Sequence, residues 1–139
     1  MKTLSGLVIT RDAEDRIEGL IDSMRLFADE VVAVVDADSS DGTYDLCRRF
    51  ADVCVVKETP QHLPESILEE AYGLCSGDWA LRIDDDELIS EAILTLRDQL
   101  LDARDGVNAF AFPHYALIGD ERHYIKSKPW FPDFQVRAF

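Results

Sequence analysis

Residues 28–43 read Ala-Asp-Glu-Val-Val-Ala-Val-Val-Asp-Ala-Asp-Ser-Ser-Asp-Gly-Thr. Within this stretch Val31–Val35 is continuously apolar and four of its five residues are valine, which is typical of a strand buried on both faces of a parallel sheet. The polar residues 39–43 predict a turn that can cap a following helix. A buried strand, a turn and a helix in this order indicate an α/β unit.

The same alternation continues on both sides of this unit. Apolar residues recur at helical spacing in the segments between the apolar runs, so the pattern predicts helices there. Strands are predicted at 4–9, 31–35, 53–56, 79–83, 108–113 and 134–139, with helices at 12–28, 44–51, 67–75 and 93–101. Ser76-Gly77 would end the third helix and Ser90 would cap the fourth. The alternation predicts an α/β fold with a mostly parallel central sheet flanked by helices.

The composition excludes several classes of protein. The 28 acidic residues outnumber the 14 basic ones, giving a net charge of −14, whereas a nucleic-acid-binding protein needs a basic face. No apolar run approaches the roughly 20 residues of a membrane span, and residues 7–9 are too short for the core of a signal peptide. The three cysteines form no CxxC pair and are expected to pack as small apolar residues. Reduced thiols of this kind predict a cytoplasmic protein.

Four consecutive carboxylates, Asp84 to Glu87, follow the strand predicted at 79–83. They repel one another unless a cation is bound, and hard carboxylate oxygens suit Mg²⁺ or Mn²⁺ bridging to phosphates. The alternative is a solvated acidic turn. Ligands of parallel sheets bind at the carboxyl ends of the strands, where Thr10-Arg11, Asp36 and this acidic run would meet. That convergence favours a functional site over a turn.

Other motifs are incomplete. The loop that begins at Asp36 is not an EF-hand, since its sixth and twelfth positions hold Asp41 and Cys47. Asp41 itself has two open interpretations, a turn-and-cap residue or a ligand-binding one. The absence of GxxxxGK[ST] and GxSxG argues against a P-loop ATPase and a serine hydrolase. The three histidines, His62, His114 and His123, show no metal-ligand spacing.

Taken together, the motifs resemble the family 2 glycosyltransferases, which have the GT-A fold. Residues 10–17 look like the loop and first helix of that family, and residues 28–43 look like its "ADEIVVVDSGSTDGT" stretch. Residues 77–87 resemble "GDW…DADE", which contains the DXD motif, and residues 132–139 resemble "PDxQxRLF". The order of the four segments is also that of the family. Within that family, the chain resembles the bacterial transferases that build lipopolysaccharide core and similar glycans.

The resemblance implies a metal-dependent, inverting transfer of a sugar from a nucleotide-sugar donor, expected to be UDP-linked, to a glycan or lipid-linked acceptor. Thr10, Arg11, Asp36 and Asp84 would contact the nucleotide. Asp84 and Asp86 would be the outer residues of the DXD motif and would hold Mn²⁺ or Mg²⁺, with Asp86 as the more direct ligand. Residues 1–139 would form a single GT-A-like nucleotide-sugar-binding domain, either truncated at the carboxyl end or belonging to a short homologue.

Two departures from the family pattern leave open whether this chain transfers a sugar. Leu68 and Glu69 stand where the family has Arg-Asn, so a cation for the diphosphate is missing. Arg82 would either replace that cation or be an ion-paired residue of the sheet. The family's catalytic base often lies beyond a point equivalent to the last strand. Within this chain the candidates are Asp120, Glu121 and Asp133, and the favoured alternative for each is an ordinary surface carboxylate. The alternative function is a non-catalytic module of the same fold that binds nucleotide sugars or docks a partner.

Overall fold

The computed structural model describes all residues from Met1 to Phe139. The strands are β1 (Leu4–Thr10), β2 (Glu30–Asp36), β3 (Val53–Lys57), β4 (Trp79–Arg82), β5 (Phe110–His114), β6 (Leu117–Ile118), β7 (Asp120–Tyr124) and β8 (Asp133–Ala138). The helices are α1 (Ile17–Met24), α2 (Thr43–Phe50), α3 (Leu68–Tyr72) and α4 (Ala92–Leu101). Two short 3₁₀ segments, Pro60–His62 and Pro64–Ile67, precede α3. No helix is long and apolar enough to span a membrane.

Six strands form one sheet in the order β3-β2-β1-β4-β8-β5. The first four are parallel to one another, while β8 runs antiparallel to both β4 and β5. The mostly parallel sheet predicted from the sequence is therefore confirmed. Between the last two predicted strands, β6 and β7 pair as a separate antiparallel hairpin that the sequence pattern did not predict.

The central strands are buried because helices cover both faces of the sheet. Val31, Ala33 and Val35 of β2 join the larger apolar cluster, which contains α1, while Val32 and Val34 join a smaller cluster on the other face. Successive residues of a strand point to opposite faces, so a strand covered on both sides needs an unbroken apolar run. This is the physical basis of the valine-rich sequence of β2.

Helix α1 is shorter than the predicted 12–28. Asp12 adopts a left-handed backbone conformation with φ of 46°, and residues 13–16 form a turn before the helix begins at Ile17. Hydrogen bonds tie this segment to the 39–43 loop: the Asp12 amide donates to Ser39 Oγ at 3.1 Å, and Asp12 Oδ1 accepts from the Ser40 amide at 2.8 Å. The prediction failed here because the loop competes for the polar groups of the first helical turn.

The prediction that Ser76-Gly77 ends the third helix is wrong. Helix α3 covers only Leu68–Tyr72, and Gly73 is its C-cap. Gly77 instead passes close to β1, where an added Cβ would lie 2.7 Å from the Ser5 amide nitrogen. Its missing side chain permits this close backbone approach.

The cysteines are free thiols. Cys47 is buried in the core, and burial raises the pKa of its thiol to about 12, in line with its expected role as a small apolar residue. Cys54 and Cys75 are partly buried and pack against the two apolar clusters.

Candidate functional site

A pocket of about 270 Å³ opens at the carboxyl ends of β1, β2 and β4. Its walls are formed by Ile9, Thr10, Arg11, Asp36, Thr59, His62, Pro64, Asp84, Asp85 and Asp86. All the residues that sequence analysis placed at a nucleotide or metal site, Thr10, Arg11, Asp36, Asp84 and Asp86, lie in this one pocket. Parallel pairing aligns the strand ends, which is why residues far apart in sequence meet here.

Asp84 is held by two arginines. Arg137 Nη1 lies 2.8 Å from Asp84 Oδ2, and Arg82 Nε lies 3.3 Å from Asp84 Oδ1 without hydrogen-bond geometry. Arg137 is only 7% exposed and also donates to Glu87 Oε1 at 2.7 Å. Glu87 Oε2 in turn accepts from the Asp84 amide at 2.9 Å. Of the two interpretations of Arg82, the ion-paired one agrees with this geometry, because Arg82 does not line the pocket.

Asp85 faces the first strand. Its Oδ2 accepts a hydrogen bond from the Thr10 hydroxyl at 2.6 Å, and its Oδ1 lies 3.3 Å from Arg16 Nη2. Asp85 therefore connects the loop after β4 to the end of β1. No sequence pattern indicated a role for Asp85, since its partners, Thr10 and Arg16, are distant in sequence.

Asp86 differs from its neighbours because its carboxylate is exposed and makes no hydrogen bond or ion pair. Of the four carboxylates in the pocket, only that of Asp86 has no hydrogen-bond or ion-pair partner. Among the side chains that line the pocket, only Arg11 and His62 can oppose the negative charge of its four carboxylates. An anionic ligand would be repelled from such a surface unless a cation accompanied it.

Asp36 lies at the end of β2 and is 5% exposed. Burial alone would raise the pKa of its carboxyl group, but hydrogen bonds from the Asp38 amide and the His62 side chain outweigh it and lower the pKa. His62 Nδ1 lies 3.5 Å from Asp36 Oδ2 and 3.9 Å from Asp38 Oδ2. Asp36 is therefore ionised and faces both the pocket and an imidazole ring.

Asp36, Asp38 and His62 form a group that could hold a metal ion, since one ligand atom from each lies within 4.8 Å of the others. Sequence analysis found no metal-ligand spacing for His62, because this proximity arises from tertiary structure. β2 and β3 are paired with Asp36 opposite Lys57, and the loop after β3 turns back through Gln61 and His62, both left-handed at φ 56°.

Thr59 adds an unusual polar group to the same wall. The residue is buried, and its hydroxyl oxygen makes no hydrogen bond of acceptable geometry, although its proximity helps to lower the pKa of Asp36. A buried hydroxyl without a partner carries a desolvation cost that a bound ligand would relieve. Its position beside Asp36 was not anticipated from the sequence.

Of the two interpretations of Asp41, the geometry of the 39–43 loop supports the turn residue, although the N-cap of α2 is Gly42. Asp41 Oδ1 accepts from the Thr43 amide at 2.9 Å and from the Thr43 hydroxyl, and these bonds lower the pKa of Asp41. Its Oδ2 accepts from the Glu14 amide at 3.1 Å. Asp41 thus fixes the turn before α2, whose N-cap is Gly42, and the turn before α1, and it lies outside the pocket.

The candidate bases do not line the pocket. Asp120 and Glu121 are exposed on β7. Asp133 lies on β8, where its Oδ2 is 3.3 Å from His114 Nδ1 and accepts from Gln135 Nε2 at 3.0 Å. Glu69, which replaces a family asparagine, is exposed on α3 and does not line the pocket.

The family model for glycosyl transferase family 2 matches residues 5–138. The chain belongs to this family. The resemblance drawn from the four ordered motifs is therefore confirmed, whereas the likeness to lipopolysaccharide-core transferases stays a prediction.

Relatives of the family 2 chain include proteins called uncharacterized glycosyltransferases from Rickettsia. The one from Rickettsia typhi is 33% identical over 93 residues, which is 67% of this chain and 31% of the relative. The one from Rickettsia bellii is 35% identical over 92 residues, which is 66% of this chain and 30% of the relative. The chain thus spans about a third of the length of the relatives that it matches.

Two solved structures share the fold. Glucosyl-3-phosphoglycerate synthase from Mycobacterium tuberculosis, in complex with Mn²⁺, UDP and glucosyl-3-phosphoglycerate, superimposes with a TM-score of 0.59 at 22% identity, covering 78% of this chain and 42% of that one. 4-Diphosphocytidyl-2C-methyl-D-erythritol synthase gives a TM-score of 0.54 at 18% identity, covering 99% of this chain and 73% of that one. The GT-A-like fold expected from the motifs is confirmed.

Proposed function

We propose that this chain is the donor-binding part of a cation-dependent glycosyltransferase. It would bind a UDP-linked sugar and transfer that sugar, with inversion, to a hydroxyl group of an acceptor. The observation that carries the proposal is the pocket at the carboxyl ends of β1, β2 and β4, which unites Thr10, Asp36, Asp84 and Asp86 in a chain of glycosyl transferase family 2.

The charge of the pocket favours a divalent cation with the donor. A diphosphate would face four carboxylates, and oxygen ligands suit Mn²⁺ or Mg²⁺. Asp86 would be the direct ligand because its carboxylate is unengaged, and Asp84 would be oriented toward the same ion by Arg137. The ion would neutralise the diphosphate as it leaves. The M. tuberculosis synthase of similar fold was crystallised with both Mn²⁺ and UDP.

The opposite wall suits the nucleoside. Asp36 is buried and ionised, so it can accept a hydrogen bond from a base N–H or a ribose hydroxyl, and the unpartnered Thr59 hydroxyl lies beside it. Thr10 and Arg11 would complete this contact. The Asp36, Asp38 and His62 group is a rival position for the cation, so a variant of His62 separates the two assignments.

Isothermal titration calorimetry with UDP and Mn²⁺ tests the proposal. We expect Mn²⁺-dependent binding of UDP that is lost when EDTA is added. Asp86→Ala should weaken it by about tenfold to a hundredfold because a metal ligand is removed. Asp98→Ala is the matched control, since Asp98 lies on the exposed surface of α4. Failure to bind UDP, or equal binding by Asp86→Ala, would contradict the proposal. A loss in His62→Ala with normal binding by Asp86→Ala would move the cation to the rival group.

A non-catalytic module that binds nucleotide sugars is the second candidate function. The observation that favours it is the position of Leu68 and Glu69 on α3, where no basic residue is available for the diphosphate. Incubation with a panel of UDP-sugars and bacterial glycans distinguishes the two, because sustained release of UDP occurs only in a transferase. A glycan or lipid-linked acceptor and a cytoplasmic location are proposed on the family resemblance and the reduced cysteines.

A further inference from the structure

Five polar side chains form a closed ring beside the donor pocket. Arg137 donates to Glu87 Oε1 at 2.7 Å, and the same Glu87 oxygen lies 3.5 Å from His114 Nε2. On its other side, His114 Nδ1 lies 3.3 Å from Asp133 Oδ2. Asp133 accepts from Gln135 Nε2 at 3.0 Å, and Gln135 Oε1 accepts from Arg137, which closes the ring. The ring touches the pocket at Asp84, the second partner of Arg137.

Strand register builds this ring. His114 of β5 lies directly opposite Asp133 of β8, so the two side chains share one face of the sheet. Gln135 and Arg137 follow Asp133 at alternate positions of β8 and therefore lie on that face too. The same register turns Nδ1 of His114 toward Asp133 and leaves Nε2 facing the loop that carries Asp84 and Asp86.

Glu87 and Arg137 of the ring are unsuited to accept a proton from an incoming hydroxyl group. Both oxygens of Glu87 accept strong hydrogen bonds, one from Arg137 and one from the Asp84 amide. Arg137 is a permanent cation and cannot take up a proton. Nε2 of His114 has no hydrogen bond of good geometry, and its side chain is 38% exposed. The other basic atom of the ring without a hydrogen bond is Asp133 Oδ1, but only Nε2 of His114 lies against the loop that carries Asp84 and Asp86, 3.5 Å from Glu87 Oε1, where an incoming hydroxyl group would meet the donor.

We propose that His114 is the catalytic base and that Asp133 is its positioning residue, an inference that rests on the proposed function. The acceptor oxygen bonds to the anomeric carbon of the donor sugar, and its proton passes to Nε2 of His114. The bond from that carbon to the diphosphate oxygen breaks, and its electron pair leaves on the diphosphate. Asp133 and Glu87 flank the imidazolium that forms and stabilise its charge, as the carboxylate does in a His–Asp pair.

The test uses water as the acceptor, because the natural one is not identified. UDP release from UDP-glucose, UDP-galactose and UDP-N-acetylglucosamine with Mn²⁺ is measured for each variant, alongside UDP binding by calorimetry. His114→Ala should bind UDP normally but hydrolyse the donor at least about a hundredfold more slowly. Added imidazole should restore the rate by tenfold or more, a rescue that loss of a merely structural contact would not show. Asp133→Asn should lower the rate by about tenfold.

His123→Ala is the matched control, since His123 also contacts an aspartate, Asp120 Oδ1 at 2.7 Å, but lies exposed on β7. It should leave hydrolysis unchanged. If His114→Ala does not fold, His114→Gln takes its place and should show the same loss. An unchanged rate in the His114 variant, a loss of rate that imidazole does not restore in His114→Ala, or a wild-type chain that binds UDP but hydrolyses no donor would overturn the inference. Absence of UDP binding would instead refute the proposed function.

Discussion

In β1 and β2 every residue except Glu30 is buried, whereas half-buried and exposed residues alternate along β5 and most of β8. The parallel half of the sheet has helices on both faces. The antiparallel half contributes Phe110 and Phe112 to the core on one face and exposes Phe134 and Val136 on the other. The donor pocket is therefore built on strands that are packed on both sides, while the proposed base lies on strands packed on one.

Matched truncations of valine in the two halves should give the largest contrast in stability. Val32 of β2 is 0% exposed and Val136 of β8 is 51% exposed. Val32→Ala should lower the free energy of unfolding by about 2–3 kcal/mol, because two buried carbon atoms are lost and a cavity remains. Val136→Ala should change it by less than about 0.5 kcal/mol. Urea denaturation followed by circular dichroism measures both. Equal losses would mean that the outer face of β8 is covered in solution.

Arg137 of β8 joins the two halves of the sheet through its ion pairs with Asp84 and Glu87, which follow β4. Arg137→Met removes the cation that Asp84 and Glu87 share and leaves Asp84 with Arg82 alone, so we expect a loss of about 1–3 kcal/mol in the free energy of unfolding. Arg25→Met is the control, since the side chain of Arg25 is 44% exposed and its pair with Asp52 lies at the surface. Its loss should be less than about 1 kcal/mol. A stable Arg137→Met protein would show that the two halves hold together without the ion pairs.

The smallest effect should appear at Glu30, the one incompletely buried residue of β1 and β2. Burial acts to raise the pKa of its carboxyl group, but hydrogen bonds from the Ser5 hydroxyl and from the amide and hydroxyl of Ser76 outweigh burial and lower it. The stability that the ionised form contributes is fully present above the unfolded pKa, near 4.5, and is lost as the pH falls through the lower folded pKa.

Glu30→Gln should therefore show a shallower loss of stability on acidification than the unsubstituted chain, measured by urea titrations at a series of pH values. Glu18→Gln, on the exposed face of α1, should follow the unsubstituted chain. Parallel curves for Glu30→Gln and the unsubstituted chain would show that the carboxylate hydrogen bonds persist in the unfolded ensemble.

Sequence periodicity predicted the six strands of the main sheet, because burial on both faces leaves a continuous apolar run and burial on one face leaves alternation. It was less accurate for helix ends. The turn at 13–16 and the early end of α3 at Tyr72 depend on contacts with the 39–43 loop and on packing around Gly77, which no local pattern records. The hairpin β6–β7 was missed because β6 has only two residues, Leu117 and Ile118, and β7 is polar along most of its length.

The sequence by itself determined the family, the α/β order and the meeting of Thr10, Asp36 and Asp86 at one edge. Each strand and the polar residues that follow it can be recognised locally, and parallel pairing places the carboxyl ends of the strands side by side. Only the tertiary structure decided which carboxylates are free. It engages Asp84 with arginines and Asp85 with Thr10, and it leaves Asp86 open. It also places His62 beside Asp36 and His114 beside Asp133, since such contacts depend on register and loop path, which are set by packing of the whole chain.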